Sequence, residues 1–172
     1  HQSGMQVPVS DGEMAIFDAV YADIGDSQSI ERSVSTFSSH MGRVIEILLE
    51  ATPNSLILLD ELGTGTDPEE GSALARAVLA HAAENEMPIA ITSHYRTVAE
   101  FAAESEDFAN ASVELNPDTM LPTYQVLMGI PGRSYAIHVA RHLGMPSHVL
   151  DHAQSMMDPS RAEAETILQQ LQ

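Results

Sequence analysis

The sequence of 172 residues contains no cysteine and no lysine. The first absence excludes disulfides and thiolate metal sites, and leaves cysteine silent about compartment. The second makes a G-x-x-x-x-G-K-[ST] phosphate loop impossible within these residues, since that motif needs its lysine to reach the terminal phosphates. All 7 basic residues are therefore arginine, set against 25 acidic ones, for a net charge of −18. Such a balance argues against this segment itself gripping a nucleic-acid backbone, which needs a cationic surface. No apolar run approaches the roughly 20 residues that span a bilayer, and nothing at the start resembles a signal peptide. A soluble, cytoplasmic protein with no membrane partner is expected, with length enough for one domain with a real core.

What is present is organised around Ser55-Leu-Ile-Leu-Leu-Asp-Glu-Leu-Gly-Thr-Gly-Thr-Asp-Pro68. The aliphatic run Leu56 to Leu59 suits a strand buried on both faces, as in the middle of a parallel sheet. It leads directly into Asp60 and Glu61, at the strand end where open α/β sheets bind their ligands. Adjacent carboxylates repel each other unless a cation lies between or beside them. In phosphoryl-transfer enzymes that cation is Mg²⁺, held by an acid, while a neighbouring polar group orients the attacking water. Asp60 then reads as the magnesium-side carboxylate and Glu61 as the group that positions or deprotonates water. The plain alternative is a strand ending in an acidic turn.

Upstream, Gln6–Val9 fits a short edge strand limited by Pro8. Residues 16–22 are rich in aromatic and β-branched side chains and predict a strand, followed by a polar loop over 25–29. Met41, Val44, Ile45, Leu48 and Leu49 recur at the spacing of one helical face. Hydroxyl residues crowd the start of that helix, with Ser35 or Thr36 as a suitable N-cap. Such a helix start also suits an anion, phosphate in particular, and ordinary capping is the equal alternative. Downstream, Pro68 opens a helix with Glu69 and Glu70 in its first turn and an end near Asn85. A second apolar run, Pro88 to Thr92, predicts another strand, ending at Ser93-His94-Tyr95 before a helix through Val98, Phe101 and Ala102. This is the βαβ pattern of a parallel sheet. Where the two strands are neighbours, His94 shares an edge with Asp60 and Glu61.

These segments carry a resemblance. Ser35-Thr-Phe37, Leu56 to Asp67 and Thr92-Ser-His-Tyr95 are similar to the signature, Walker B with its following loop, and switch-histidine motifs of the MutS family, in order and approximate spacing. Gly129 to Pro146 resembles the helical close of the same domain. Within the family, Gln28 to Met41 resembles the recombination-suppressing branch more than the mismatch-repair branch. The latter carries Gly-Arg before Ser-Thr-Phe, where this chain has Ser33-Val34.

The resemblance implies an α/β fold of the ABC-type, P-loop NTPase-like class, with a mainly parallel sheet flanked by helices and a helical C-terminal end. It implies ATP and Mg²⁺ as nucleotide and cofactor, with Asp60 on the metal, Glu61 as general base and His94 at the γ-phosphate. Ser33, Ser35 and Thr36 would meet a nucleotide bound by the partner of a homodimer, and Gly65 and Asp67 would communicate across it. DNA would be held by other domains, with control of recombination as the role; a stalled ribosome is the alternative substrate. The departure from the family is the missing lysine loop. The chain is expected to be the later part of an ATPase domain that begins past that loop, binding ATP poorly and hydrolysing none alone. A non-enzymatic interaction fragment is the reading of a different class, and another ABC-type engine is disfavoured because no Leu-Ser-Gly-Gly signature is present.

The remainder says less about chemistry. Residues 108–115 and 123–128 predict a hairpin around Asn116-Pro-Asp-Thr119, with helices at about 134–143 and 147–157 beyond the loop Gly129–Gly132. His138 with His142, and His148 with His152, are spaced to share a metal, but they lack carboxylate or cysteine partners and read as surface histidines. The expected division is an ATPase portion over residues 1–157 and the start of a linker helix or coiled coil over 158–172.

Overall fold

The structure, a computed structural model, describes residues 8–25, 33–116, 119, 121–132 and 134–157, without the side chains of 33–36. The expected strand at Gln6–Val9 falls partly outside these residues, and Pro8 and Val9 are not in a strand. All but Gly25 of the expected 25–29 loop, and the 158–172 tail, also lie outside them. Two compact units divide the chain, His1–Ala109 and Asn110–Gln172.

The first unit runs β1 (Val20–Asp23), α1 (Ser33–Glu50), β2 (Leu56–Leu59), α2 (Pro68–Glu84), β3 (Ile89–Ile91) and α3 (Arg96–Glu104). Its strands form a parallel sheet in the order β1-β2-β3. The fold is therefore α/β, with α1 and α2 as crossovers between neighbouring parallel strands and α3 following the last of them. Ile57 and Leu59 belong to a buried cluster with Val44 and Ile47 of α1, Ala75 and Leu79 of α2 and Val98 of α3. Side chains alternate across a strand, so Leu56 and Leu58 face the other way and are only half-buried. The expectation of burial on both faces thus holds for one face. Of the stripe expected on α1, Val44 is buried against the face that presents Ile57 and Leu59, and Met41 and Leu48 pack beside it. Ile45 and Leu49 are instead exposed, and Ile47 is buried in their place.

Strand β1 is shorter than the 16–22 expected, because a ladder extends only as far as its partner, and Val20 to Asp23 pair with the four residues of β2. Helix α1 begins at Ser33, so Ser35 and Thr36 lie inside its first turn instead of at its cap. Hydroxyl residues are tolerated there because first-turn N–H groups have no intrahelical acceptor to lose. Helix α2 matches its expected span. Pro68 opens it, and Asp67 caps it by accepting the Glu69 and Glu70 N–H groups at 3.0 and 3.2 Å.

The second unit contains the antiparallel hairpin β4 (Ala111–Leu115) and β5 (Pro122–Met128), then α4 (Ala136–His142) and α5 (Ser147–Ser155). The first hairpin strand starts at Ala111 and not 108, because its register ends where Ala111 pairs with Met128. Gly129, at φ 79°, turns the chain there. Both helices are a little shorter than expected. Val113, Tyr124, Val126 and Met128 are exposed on the hairpin. No helix among the described residues is long and apolar enough to cross a membrane.

Candidate functional site

Parallel pairing brings the carboxyl ends of β1, β2 and β3 to one edge of the sheet. Asp23 ends β1, Asp60 follows β2, and Thr92 follows β3. The three positions are joined by hydrogen bonds. Thr92 Oγ1 donates to Asp60 Oδ1 at 2.5 Å and accepts the Glu61 N–H at 2.8 Å. The Asp60 N–H donates to the Asp23 carbonyl at 2.9 Å. One threonine hydroxyl thereby orients the first carboxylate and fixes the backbone of the second.

Glu61 is exposed and sits at φ 46°, a left-handed conformation unusual for a residue with a Cβ. Its N–H is held by Thr92, and its carbonyl accepts the Thr64 N–H at 3.1 Å. Strained backbone of this kind persists only where the surroundings over-determine it, and it concentrates at functional sites. Behind it Leu62 is buried in the core, so the turn is anchored on one side and open on the other. Asp23, His40, Leu59, Asp60, Glu61 and Thr64 line a shallow pocket at this edge.

The loop after the acids is held by close packing. A Cβ at Gly63 would strike the Gly71 carbonyl, and a Cβ at Gly71 would strike that of Gly63. Tyr95 Oη donates to the Gly63 carbonyl at 3.0 Å, tying the loop to the segment that carries His94. Gly65, at φ 84°, is next to Phe37 of α1, so the Ser-Thr-Phe helix and the post-acid loop are neighbours.

The sequence-derived residues are therefore distributed as follows. Asp60 and Glu61 are bonded to Thr92 at the sheet edge, and His94 follows β3 at the same edge, exposed, with its ring 4.5 Å from that of Tyr95. Ser33, Ser35 and Thr36 lie in the first turn of α1, their side chains outside the described residues. The carboxylate of Asp67 is engaged in capping α2. His138, His142, His148 and His152 are all exposed. Among the described residues, no three carboxylates, histidines or cysteines converge to hold a metal. Asp60 and Glu61 nonetheless offer hard oxygen donors of the kind Mg²⁺ takes one or two at a time, with phosphate and water completing its shell. The donor set fits a metal brought by a nucleotide and not a protein-only cage.

Sequence reasoning missed three residues at this edge. Thr92 was read as a strand end, although a hydroxyl at the end of a neighbouring parallel strand is well placed to bond an acid. Asp23 and His40, joined at 2.7 Å through Oδ2 and Nδ1, had no local signal. They are 17 residues apart and meet only because α1 returns over the sheet.

Fold and cleft together define an α/β domain with acidic groups at the carboxyl edge of a parallel sheet. The chain belongs to the MutS domain V family, whose model matches residues 1–159. It is 44% identical over 172 residues to the endonuclease MutS2 of Bacillus velezensis, covering 99% of this chain and 22% of that relative. The putative endonuclease MutS2 of Bacillus subtilis is likewise 44% identical with the same coverage. The endonuclease MutS2 of Staphylococcus haemolyticus is 45% identical, again over 99% of this chain and 22% of its own length. The chain thus spans about 22% of the curated relatives it matches, and the resemblance read from its motifs is that of its family.

Proposed function

We propose that this domain supplies the metal-side and water-side acids of an ATP-hydrolysing site of the ABC, P-loop class. The observation that carries the reading is the Thr92 hydroxyl, bonded to both the Asp60 carboxylate and the Glu61 N–H. It presets two adjacent acids at an open sheet edge with different surroundings. Asp60 holds Mg²⁺, which when bound neutralises charge on the phosphate oxygens. Glu61, exposed at the tip of its turn, orients water and takes its proton. His94, on the neighbouring strand's exit, contacts the γ-phosphate. The phosphate-cradling lysine comes from outside these 172 residues, because they contain none. The isolated chain accordingly binds ATP poorly and turns over none; by itself it is a folded interaction module.

In a homodimer, Ser33, Ser35 and Thr36 at the start of α1 complete the partner's nucleotide site, and the Gly65–Asp67 loop relays closure. The nearness of Phe37 to Gly65 supports this reading, since it joins the two segments in one surface. ATP-driven closure would control DNA binding by other domains, in recombination and not mismatch repair. A net charge of −18 supports placing the DNA contact elsewhere. The boundary between an ATPase portion over 1–157 and a linker from 158 belongs to the same proposal.

The test is ATP turnover by the domain joined to a lysine-bearing phosphate loop. Glu61→Gln should retain nucleotide binding and lose at least ~100-fold in hydrolysis; a near-normal rate removes Glu61 from the base role. Thr36→Ala should impair turnover only at the site facing it, which mixed dimers resolve.

A further inference from the structure

Asp23 makes two contacts that lead to different elements. Its Oδ2 lies 2.7 Å from His40 Nδ1 on α1, and its main-chain carbonyl accepts the Asp60 N–H at 2.9 Å. A carboxylate has no proton to give, so the histidine Nδ1–H is the donor. Both side chains are largely covered, 30% exposed for His40 and 21% for Asp23, and both line the pocket that contains Asp60 and Glu61.

The mechanical setting gives this bond its meaning. Among the described residues, strand β1 lies at the edge of the sheet, and Asp23 is its last residue. A strand end paired on one side only is among the first places to open locally. Helix α1 is the opposite case: Val44, one turn beyond His40, and Ile47 are buried in the core. His40 therefore ties the end of an edge strand to a helix anchored in the core by Val44 and Ile47. It also engages the carboxylate of Asp23, which would otherwise be a third anionic group competing for any cation in the cleft.

We infer that His40 is a positioning residue, acting through Asp23 to hold the main chain from which Asp60 and Glu61 project and to withhold the Asp23 carboxylate from the metal. The second half of this role rests on the ATP reading above; the first does not.

Amide hydrogen exchange at single residues of this chain tests the first half. His40→Ala should speed exchange at the Asp60 amide by about tenfold, the scale of one bond to a charged group, while Ile57 and Leu79 stay protected. His40→Asn, whose side-chain N–H can reach the same carboxylate, should remain near the parent. Unchanged exchange at Asp60, or a uniform rise at Asp60, Ile57 and Leu79, overturns the positioning role. If His40→Ala does not fold, Asp23→Ala, which keeps the carbonyl but removes the carboxylate, is read at the same amide against the same two outcomes. In the ATP-competent form, His40→Ala should lower kcat with KM for ATP unchanged, and adding Asp23→Ala should restore the parent's Mg²⁺ dependence. A double variant with the Mg²⁺ dependence of His40→Ala alone overturns the second half. A failed Glu61→Gln test would remove the catalytic reading and leave the exchange result standing.

Discussion

The two ends of the parallel sheet place a carboxylate among hydroxyls, in different company. At the amino end, Asp18 accepts Thr52 Oγ1 at 2.6 Å and Ser55 Oγ at 2.8 Å. Ser55 is fully buried and accepts the Thr52 N–H at 3.0 Å, and the Asp18 N–H reaches the Asn54 carbonyl at 3.0 Å. The hydrogen bond from Thr52, and then that from Ser55, hold the Asp18 carboxyl below its ordinary 3.8. At the carboxyl end, Asp60 takes the single hydroxyl of Thr92, and Glu61 beside it is exposed at φ 46°. The first arrangement joins the segment before β1 to the segment before β2 through buried Ser55, with Asp18 and Thr52 exposed. The second sets exposed Glu61 on left-handed backbone beside half-buried Asp60. A hydroxyl bonded to an acid is thus no mark of a site, and neither is exposure, since Asp18 is exposed as well; the left-handed backbone of Glu61 is what separates the two ends.

The comparison is tested most severely at Thr92. Thr92→Val keeps the shape of the strand exit but frees Asp60 and the Glu61 N–H, and misplacement of this kind should lower turnover by ~100-fold in the ATP-competent form. Equal turnover in parent and variant would make the two ends equivalent. At the other end, Ser55→Ala removes the acceptor of the Thr52 N–H and should cost about 1–3 kcal/mol in denaturant unfolding, with turnover per folded molecule unchanged. A loss of activity without loss of stability there would invert the assignment.

A smaller effect sharpens the contrast. Glu61→Gly relieves the left-handed strain, so thermal unfolding should show a gain of up to about 1 kcal/mol while hydrolysis disappears. A destabilised variant would mean that the Glu61 side chain also supports the fold. The smallest effect is on pH. Because the folded carboxyl of Asp18 titrates below its unfolded value, its contribution to stability is present above about pH 4 and fades as pH falls through the folded value. The stability difference between the parent and Asp18→Asn should narrow on acidification. A difference that widens in acid contradicts the lowered carboxyl.

Much of the first unit was legible because its signals are local. Four aliphatics between Ser55 and Asp60 specify β2, and Asp67-Pro68-Glu69-Glu70 is a helix start whatever surrounds it. The extent of β1 was not legible, since apolar residues from Ile16 onward continue past the point where β2 offers partners. The start of α1 was misplaced because Ser and Thr serve equally as caps and as first-turn residues. Phe108 was assigned to the hairpin, yet it packs against Phe101, with ring centroids 6.0 Å apart. An isolated phenylalanine carries no sign of which neighbour it will bury against.

The chain by itself determined the alternation of strand and helix in the first unit, the adjacency of Asp60 and Glu61, and the lack of any lysine to cradle phosphate. Those are properties of consecutive residues or of composition, and folding cannot alter them. Only the tertiary structure decided that Thr92 bonds Asp60, that Asp23 and His40 belong to the same cleft, and that Glu61 occupies a left-handed turn. Each of these depends on the register and order of parallel strands, set by burying Ile57, Leu59 and the helix stripes together. That collective packing has no signature in any short window of sequence.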